Sequence, residues 1–475
     1  MKYFIVLAFS TICISTYAQE KWDLRRCVDY AMQNSISVKQ ADVQARIAAL
    51  QTKLANAQAY PNLLFNTQIG VNSGRSIDPT SNLYTTQQIF FQSLGLQSGV
   101  TLFNFFSIKN NRLSARLDEE AYKTGVDRAR NDIALNVAAS YLQYLLSIEQ
   151  ANITKIQIQQ TRSQLDNTRK LVDAGSMPEL NAAQLEAQLA KDSSNYITAK
   201  GTADQNRISL MGLLNLDAAA SFEAATPDVD KIPIEPLAEL DPAFVYNLAL
   251  TTQPLQKKDS LHIKAAEYAV KSARGAMYPT LSAFAALNSN YASTYSQFTG
   301  LQPTGKFDTV AIVPVGATNY YALTPGYNTI TSKVPYFKQV SDINFSQAVG
   351  IQLNIPIANN RQLRNNYERA KLNVENLRLQ LNQDNITLQQ NIYTAYSNAV
   401  SALEKYNANI KAYKIQQYAF ELSKKRYEIG VLSTIDYITT QNNLFSAEID
   451  QVSAKYDYIF KMKVLEFYKG QGVKL

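Results

Sequence analysis

The sequence predicts an internally duplicated α+β membrane protein in which long coiled-coil helical hairpins are joined to four β-strands. Three observations predict it. Two glycine-centred stretches, each interrupting a long helical pattern, stand at matching places in the two halves of the chain. Four short runs switch from the helical period of 3.6 to a period of 2 with one apolar face. The chain also opens on a segment with the composition of a secretory leader.

In the leader, residues 1–18, Lys2 precedes an apolar run from Tyr3 to Ile14, and Thr16-Tyr17-Ala18 stands before Gln19. The run is too short to span a bilayer, which argues for a cleaved signal peptide. Cys13 follows Ile12, where a lipidation signal has a small residue. Past residue 18 the only cysteine is Cys27, so packing rather than an intramolecular disulfide must stabilise the exported chain. No later run of about 18 apolar residues exists to form a helical membrane span. The formal net charge of +7 falls by one with the loss of Lys2. The basic residues are scattered, which excludes nucleic acid as an expected partner.

The first helix opens at Trp22-Asp23-Leu24 with Asp23 as its cap. It runs through Ala31, Val43 and Leu50 to about Ala59, where Pro61 forces Tyr60 out of helical geometry. From Leu63 the alternation of Leu63, Phe65, Thr67, Ile69 and Val71 against Leu64, Asn66, Gln68, Gly70 and Asn72 predicts a strand. A second strand alternates Leu94, Leu96, Ser98, Val100 and Leu102 against Ser93, Gly95, Gln97, Gly99 and Thr101. From about Lys109 to Ala174 there is no proline and one glycine, Gly125, so a helix of roughly 100 Å is expected at 1.5 Å per residue. It ends at Gly175-Ser176-Met177-Pro178. Here the glycine supplies a left-handed C-cap and the proline opens a return helix to about Leu213.

The second half repeats this order. Gly430 stands 255 positions after Gly175 (430 − 175), and Tyr396 stands at the same interval from Tyr141. Pro279 answers Pro61, and Ala249 answers Ala31, at 218. The second half therefore carries 37 extra residues (255 − 218), expected as a long loop within Tyr291 to Asp342. Its strands are Leu281, Ala283, Ala285, Leu287 and Val349, Ile351, Leu353, Ile355 on their apolar faces. Its long helix from about Arg361 to Ile429 carries a seam of Leu388, Ile392, Tyr396, Ala399, Leu403, Tyr406, Ile410 and Tyr413. Beyond Gly430-Val431-Leu432-Ser433 a return helix is expected to about Tyr468. The organisation read from the sequence is thus a leader at 1–18, a first repeat at 19–216, a Pro-rich linker at 217–241 and a second repeat at 242–475.

A period of 2 with one apolar face fits a soluble two-layer sheet as well as a membrane barrel. The leader and the length of the attached helices favour the barrel. The duplicated order of helix, Tyr-Pro strand pair, long helix, glycine turn and return helix resembles the TolC family of outer-membrane efflux proteins across nearly the whole mature chain. Ala59-Tyr60-Pro61, Met277-Tyr278-Pro279, Ser98-Gly99-Val100, Val349-Gly350-Ile351 and Gly430 to Asp436 carry the likeness. The resemblance implies a homotrimer in which each protomer gives four strands to a twelve-stranded outer-membrane barrel, continued by an α-helical periplasmic tunnel. It implies docking of a periplasmic adaptor on the turns at Gly175, Ser176, Met177, Pro178 and at Gly430, Val431, Leu432, Ser433. It also implies a pore constriction, in which Asp436 resembles an acidic ring residue and Tyr427 a linking tyrosine. Here the second acidic position is Thr439, the basic partner is Leu432 and the acid of the first turn is Asn181. Any link is therefore expected to be neutral, between Tyr427 and Asn181.

Catalysis has no foothold, since the single histidine, His262, lies on a helix with no nucleophile elbow near it. One mature cysteine, one histidine and few methionines offer no metal set, and no cofactor is expected. The function expected is a passive exit duct for small molecules, coupled to an adaptor and an inner-membrane pump. A type I protein-secretion duct and a non-conducting periplasmic scaffold are the alternatives.

Overall fold

The computed structural model describes residues 21–77, 82–226 and 235–470. The expected leader, Cys13, Pro227 and Pro233 lie outside the described residues. In the first half the chain builds α1 (Leu24–Asn34), α2 (Ile36–Ala57), β1 (Asn62–Ile77), β2 (Tyr84–Phe103), α3 (Ser107–Asp173) and α4 (Glu179–Leu213). In the second half it builds α5 (Pro242–Thr252), α6 (Pro254–Gly275), β3 (Thr280–Ala292), β4 (Ser296–Val315), β5 (Thr318–Lys333), α7 (Tyr336–Lys338), β6 (Ser346–Asn354), α8 (Gln362–Glu428) and α9 (Thr434–Tyr468). Helix lengths repeat: α1 and α5 have 11 residues, α2 and α6 have 22, α3 and α8 have 67, and α4 and α9 have 35.

Local chemistry sets these boundaries. The carboxylates of Asp23 and Asp241 accept from the backbone N–H three residues on, at 2.7 and 3.0 Å, satisfying donors that the first turn leaves open. The single helix expected from Asp23 to Ala59 is two helices, broken at Ser35, whose ψ is 135°. Its equivalent Gln253 breaks α5 from α6 at ψ 131°, where Pro254 makes a helical conformation unfavourable. In the first copy no proline marks the break. The Ser35 hydroxyl instead bonds that of Ser37 at 2.9 Å, and the Asn34 amide bonds the carbonyl of Tyr30, local bonds that compete with the helix ladder.

The 37 extra residues are not a structureless loop. They form the antiparallel β4–β5 hairpin, with the short α7 turn after it. Gly300, Pro303, Pro314 and Pro325 read as breakers in the sequence. A two-stranded hairpin tolerates them because each strand has an open edge, and register shifts fall at Phe298/Gly300 and Pro303/Phe307. The hairpin turns at Gly316-Ala317, where Gly316 has φ +65°, the sign that tight hairpin turns require.

The four remaining strands form one antiparallel sheet in the order β1-β2-β3-β6. Its register aligns the apolar faces of all four strands. Phe65 sits opposite Leu96, which sits opposite Leu287, and Leu63 lines up with Ser98, Ala285 and Val349. On the other face Asn66, Gly95, Asn288 and Ser346 form one row. The apolar face is largely uncovered: Phe65 is 64% exposed, Ile351 68% and Val349 86%. Outer strands β1 and β6 each have one neighbour in the sheet.

The described residues fall into two compact units that cut across the duplication. One comprises Gln51–Ala115 and Ala266–Leu372, which hold the strands. The other comprises the described residues within 1–50, 116–265 and 373–475. Among the described residues, the two larger cores of the helical unit are repeat equivalents. In the first, Cys27, Val28 and Ala31 of α1 pack with Val137, Tyr141 and Leu145 of α3 and Leu210 and Met211 of α4. In the second, Val245 and Ala249 of α5 pack with Ile392 and Ala399 of α8 and Met462 and Leu465 of α9. Buried Tyr141 donates to the carbonyls of Trp22 and Ala225, which fastens both segments where they run parallel at Trp22 and Ala224. The end of the linker is held by Lys469, which pairs with Glu235 at 2.8 Å.

Candidate functional site

The two helix-ending turns have the same backbone. Gly175 has φ +71° and Gly430 φ +74°, the left-handed conformation in which a Cβ is strained. Ser176 N–H reaches back to the carbonyl of Leu171 and Gly175 N–H to Val172. Val431 and Gly430 repeat both bonds to Arg426 and Tyr427. These are paired Schellman motifs, which cap the last carbonyls of α3 and α8. Ser176, Pro178, Val431 and Ser433 are exposed, and Met177 and Leu432 half-buried, so the turns present a short surface of small and apolar groups.

The return helices open differently. Pro178 precedes α4 without a side-chain cap. Ser433 caps α9, its Oγ accepting from Asp436 N–H at 3.1 Å and donating to Asp436 Oδ2 at 2.7 Å. Asp436 thus bonds the capping hydroxyl through both its N–H and its carboxylate and remains exposed, with its charge at the positive end of the helix. Thr439 is also exposed, and its hydroxyl bonds back to the Ile435 carbonyl. The two functions of Ser433 and Asp436 are separable by mutation. Ser433→Ala should lower unfolding free energy by ~1 kcal/mol, read as a lower melting temperature, because the Asp436 N–H loses its acceptor.

Tyr427 is 2% exposed and stacks on Tyr437 with ring centroids 4.6 Å apart. Burial pushes the Tyr437 hydroxyl up to about 12, with Tyr427 and Glu428 adding to the shift. The expected link from Tyr427 to Asn181 is not made. Its hydroxyl lies 3.3 Å from Thr168 Oγ1 on α3 and 3.2 Å from Thr434 Oγ1 at the start of α9. Asn181 is half-buried in the first turn of α4, where its N–H bonds the Pro178 carbonyl. The partners of the Tyr427 hydroxyl are thus two threonines. The α3 threonine is buried on the helix flank that faces α8 and α9, whereas Asn181 belongs to the return helix.

A second polar group was not singled out from the sequence. Asp192 on α4 is 1% exposed. Its Oδ1 accepts from Gln157 at 2.9 Å and Gln188 at 2.7 Å, and its Oδ2 from Thr161 at 2.7 Å. The same two glutamine amides donate to Asn442 Oδ1 on α9, at 3.2 and 3.0 Å. Burial raises the Asp192 carboxyl above the usual range, and the bonds from Thr161 and Gln188 oppose that shift. A signal for this group is visible in α3. From Val137 on, its buried positions are first Val137, Ala138, Tyr141 and Leu145, then largely Ser147, Thr154, Gln157, Thr161 and Thr168 towards the turn. His262, read as a packed or exposed helix residue, is half-buried, bonded to Asp118 at 3.0 Å and set edge-on to Tyr122.

A family profile described as "Outer membrane efflux protein" matches residues 27–216 and 245–468, the two repeats. The chain is 21% identical over 348 residues to the probable outer membrane lipoprotein SilC of Salmonella typhimurium, covering 71% of each. Its fold is similar to that of CusC, with a TM-score of 0.74, 16% identity, and 96% of this chain and 95% of that chain aligned. The CmeC outer membrane channel of Campylobacter jejuni gives 0.72 at 17% identity, over 95% and 86%. The open state of the MtrE outer membrane channel of Neisseria gonorrhoeae gives 0.68 at 17% identity, over 94% and 88%.

Proposed function

The chain belongs to the outer membrane efflux protein family, and from that premise we propose that it is the outer-membrane channel of a tripartite efflux system. It is a passive exit duct for small molecules, non-enzymatic, resident in the outer membrane with its long helices in the periplasm. The observation that carries this reading is the sheet. Four strands with an apolar outer face, a polar opposite face and two open edges cannot satisfy their backbone in lipid alone. Three copies joined edge to edge give twelve strands with no free edge, apolar towards lipid and polar towards the lumen. The family's efflux description favours small-molecule exit over type I protein secretion. Purified trimers placed in a planar bilayer are expected to conduct, and absence of current at any voltage sinks the reading in favour of a scaffold.

In this reading a periplasmic adaptor docks on Gly175, Ser176, Met177 and Pro178 and on Gly430, Val431, Leu432 and Ser433, and links the duct to an inner-membrane transporter. Asp436 rings the periplasmic end of the pore, with Thr439 one turn on and Tyr427 holding α8 to α3 and α9. Asn181 lies in the first turn of α4, next to the other turn. Three Asp436 carboxylates ~8 Å apart would repel by roughly 2 kcal/mol per pair at an effective dielectric near 20, so together they attract cations. Asp436→Asn leaves the Ser433 cap in place. It is expected to weaken cation preference, measured as reversal potential, with no more than a small fall in melting temperature from the charge lost at the start of α9. An unchanged reversal potential rejects the pore role.

A further inference from the structure

We propose that the ends of the four helices that meet the sheet bind anionic phospholipid headgroups, as a basic collar on the helix side of the barrel. The inference rests on the membrane reading above. Along the sequence the basic residues look scattered, but the fold gathers seven of them. Lys53, Lys109, Arg112, Lys271, Arg274, Arg361 and Arg364 lie within ten residues of the strand ends at Asn62, Phe103, Thr280 and Asn354, in the unit that holds the strands. All seven are exposed. No Asp or Glu occurs in those four stretches, 52–61, 104–113, 270–279 and 355–364. Towards the opposite ends of the strands both signs are mixed, with Asp308 and Asp342 among Arg75, Lys306, Lys333 and Lys338.

The placement repeats with the duplication. Lys53 and Lys271 each stand four residues before the last residue of α2 and α6, and Lys109 and Arg364 are each third in α3 and α8. Every helix that joins a strand of the sheet therefore carries one member of an equivalent pair. Helix stability does not account for the second pair. Neither α3 nor α8 has an acid in its first turn, and a cation there opposes the positive end of the helix dipole. A phosphate relieves that conflict, because both the basic side chains and the open N–H groups of the first turn favour it. Exposed Tyr60, Phe106 and Tyr278 stand between the apolar strand faces and the basic residues, as an aromatic girdle does at the edge of the hydrocarbon. Lys109 Nζ lies 5.7 Å from the centre of the Phe106 ring, and Arg112 Nε is held by Asn56 Oδ1 at 2.8 Å. The charges thus fall at headgroup depth. A zwitterionic headgroup would bring its own ammonium to this collar, so an anionic one is preferred.

The test counts, by native mass spectrometry, the lipids retained by purified trimers taken from bilayers of equal parts phosphatidylglycerol and phosphatidylcholine. A basic group near an anionic surface favours it by about fivefold, so the wild type should retain phosphatidylglycerol at least about tenfold over phosphatidylcholine. Added salt should lower that preference. Lys53→Gln, Lys109→Gln, Lys271→Gln and Arg364→Gln together should bring it below about threefold. Lys411→Gln, Lys414→Gln, Lys424→Gln and Lys425→Gln remove the same charge from exposed positions towards the turn end of α8, and should leave it within about twofold of the wild type. If the collar variant yields no trimer, Lys53→Gln with Lys271→Gln takes its place, with a loss of at least about threefold expected. Equal retention of the two lipids by the wild type, or an equal loss in the α8 control, overturns the collar. So does displacement of phosphatidylglycerol by millimolar inorganic phosphate, which would make this a site for free anions. A wild-type chain that does not insert into bilayers overturns the barrel reading itself, whereas inserted trimers without lipid preference overturn only the collar.

Discussion

Phe65→Arg is expected to abolish heat-resistant trimers in the outer membrane. Phe65 lies on the apolar face at the β1 end of the row that continues through Leu96 and Leu287, and it is 64% exposed in the protomer. Arginine on the lipid side of a barrel strand costs ~2 to 4 kcal/mol near the midplane. Three copies in one barrel multiply that cost. Ile351→Arg, on the same face through its partner Ala283, should behave alike. Asn66→Arg is the control, because Asn66 occupies the opposite row with Gly95, Asn288 and Ser346 and would face water. A soluble two-layer sheet gives a different pattern. There Phe65→Arg would lower solubility and melting temperature with no connection to lipid. Trimers of Phe65→Arg at wild-type abundance in outer-membrane fractions would refute the barrel assignment.

The second large effect is expected at the turns. Ser176→Glu combined with Val431→Glu should reduce export to the level of a strain without the protein, measured as drug susceptibility. Both side chains are exposed, and neither makes the capping bonds of its turn through side-chain atoms. Trimer yield and bilayer conductance should therefore remain at wild-type values. Charge in place of small or apolar groups at a docking surface leaves the partner's apolar groups facing an ion, which is a strong block to association. Ser433 is a poorer choice for this test, because its hydroxyl caps α9 and its loss would mix stability with docking. Wild-type susceptibility in the double variant would remove the turns from the adaptor interface.

The contrast between these two sites shows what the sequence makes legible. The duplication, the helix ends at Gly175 and Gly430, the cap at Asp23 and the alternating faces of the strands all follow from local residue patterns. Glycine at a left-handed C-cap or alternation at a period of 2 is a local signal, so intervals of 218 and 255 positions could be counted before any fold was drawn. Where local signals misled, they were weak or ambiguous. Ser35 breaks a helix without a proline, and the prolines of β4 and β5 are tolerated because both strands are edges.

What only the tertiary structure decided is which distant side chains meet. Tyr427 was marked by the family resemblance, with Asn181 as its expected partner. Helix packing chose Thr168, 259 positions away. Asp192, Gln188 and Asn442 look in sequence like ordinary polar residues on amphipathic helices. They become a buried network because α3, α4 and α9 turn those faces towards one another, across separations as large as 285 positions. The physical reason is one of range. Backbone conformation responds to the few residues around it, so composition and spacing reveal helices, strands and caps. A buried hydrogen bond depends on the rotation of each helix about its axis and on which helix lies beside it, and packing along the whole helix sets both.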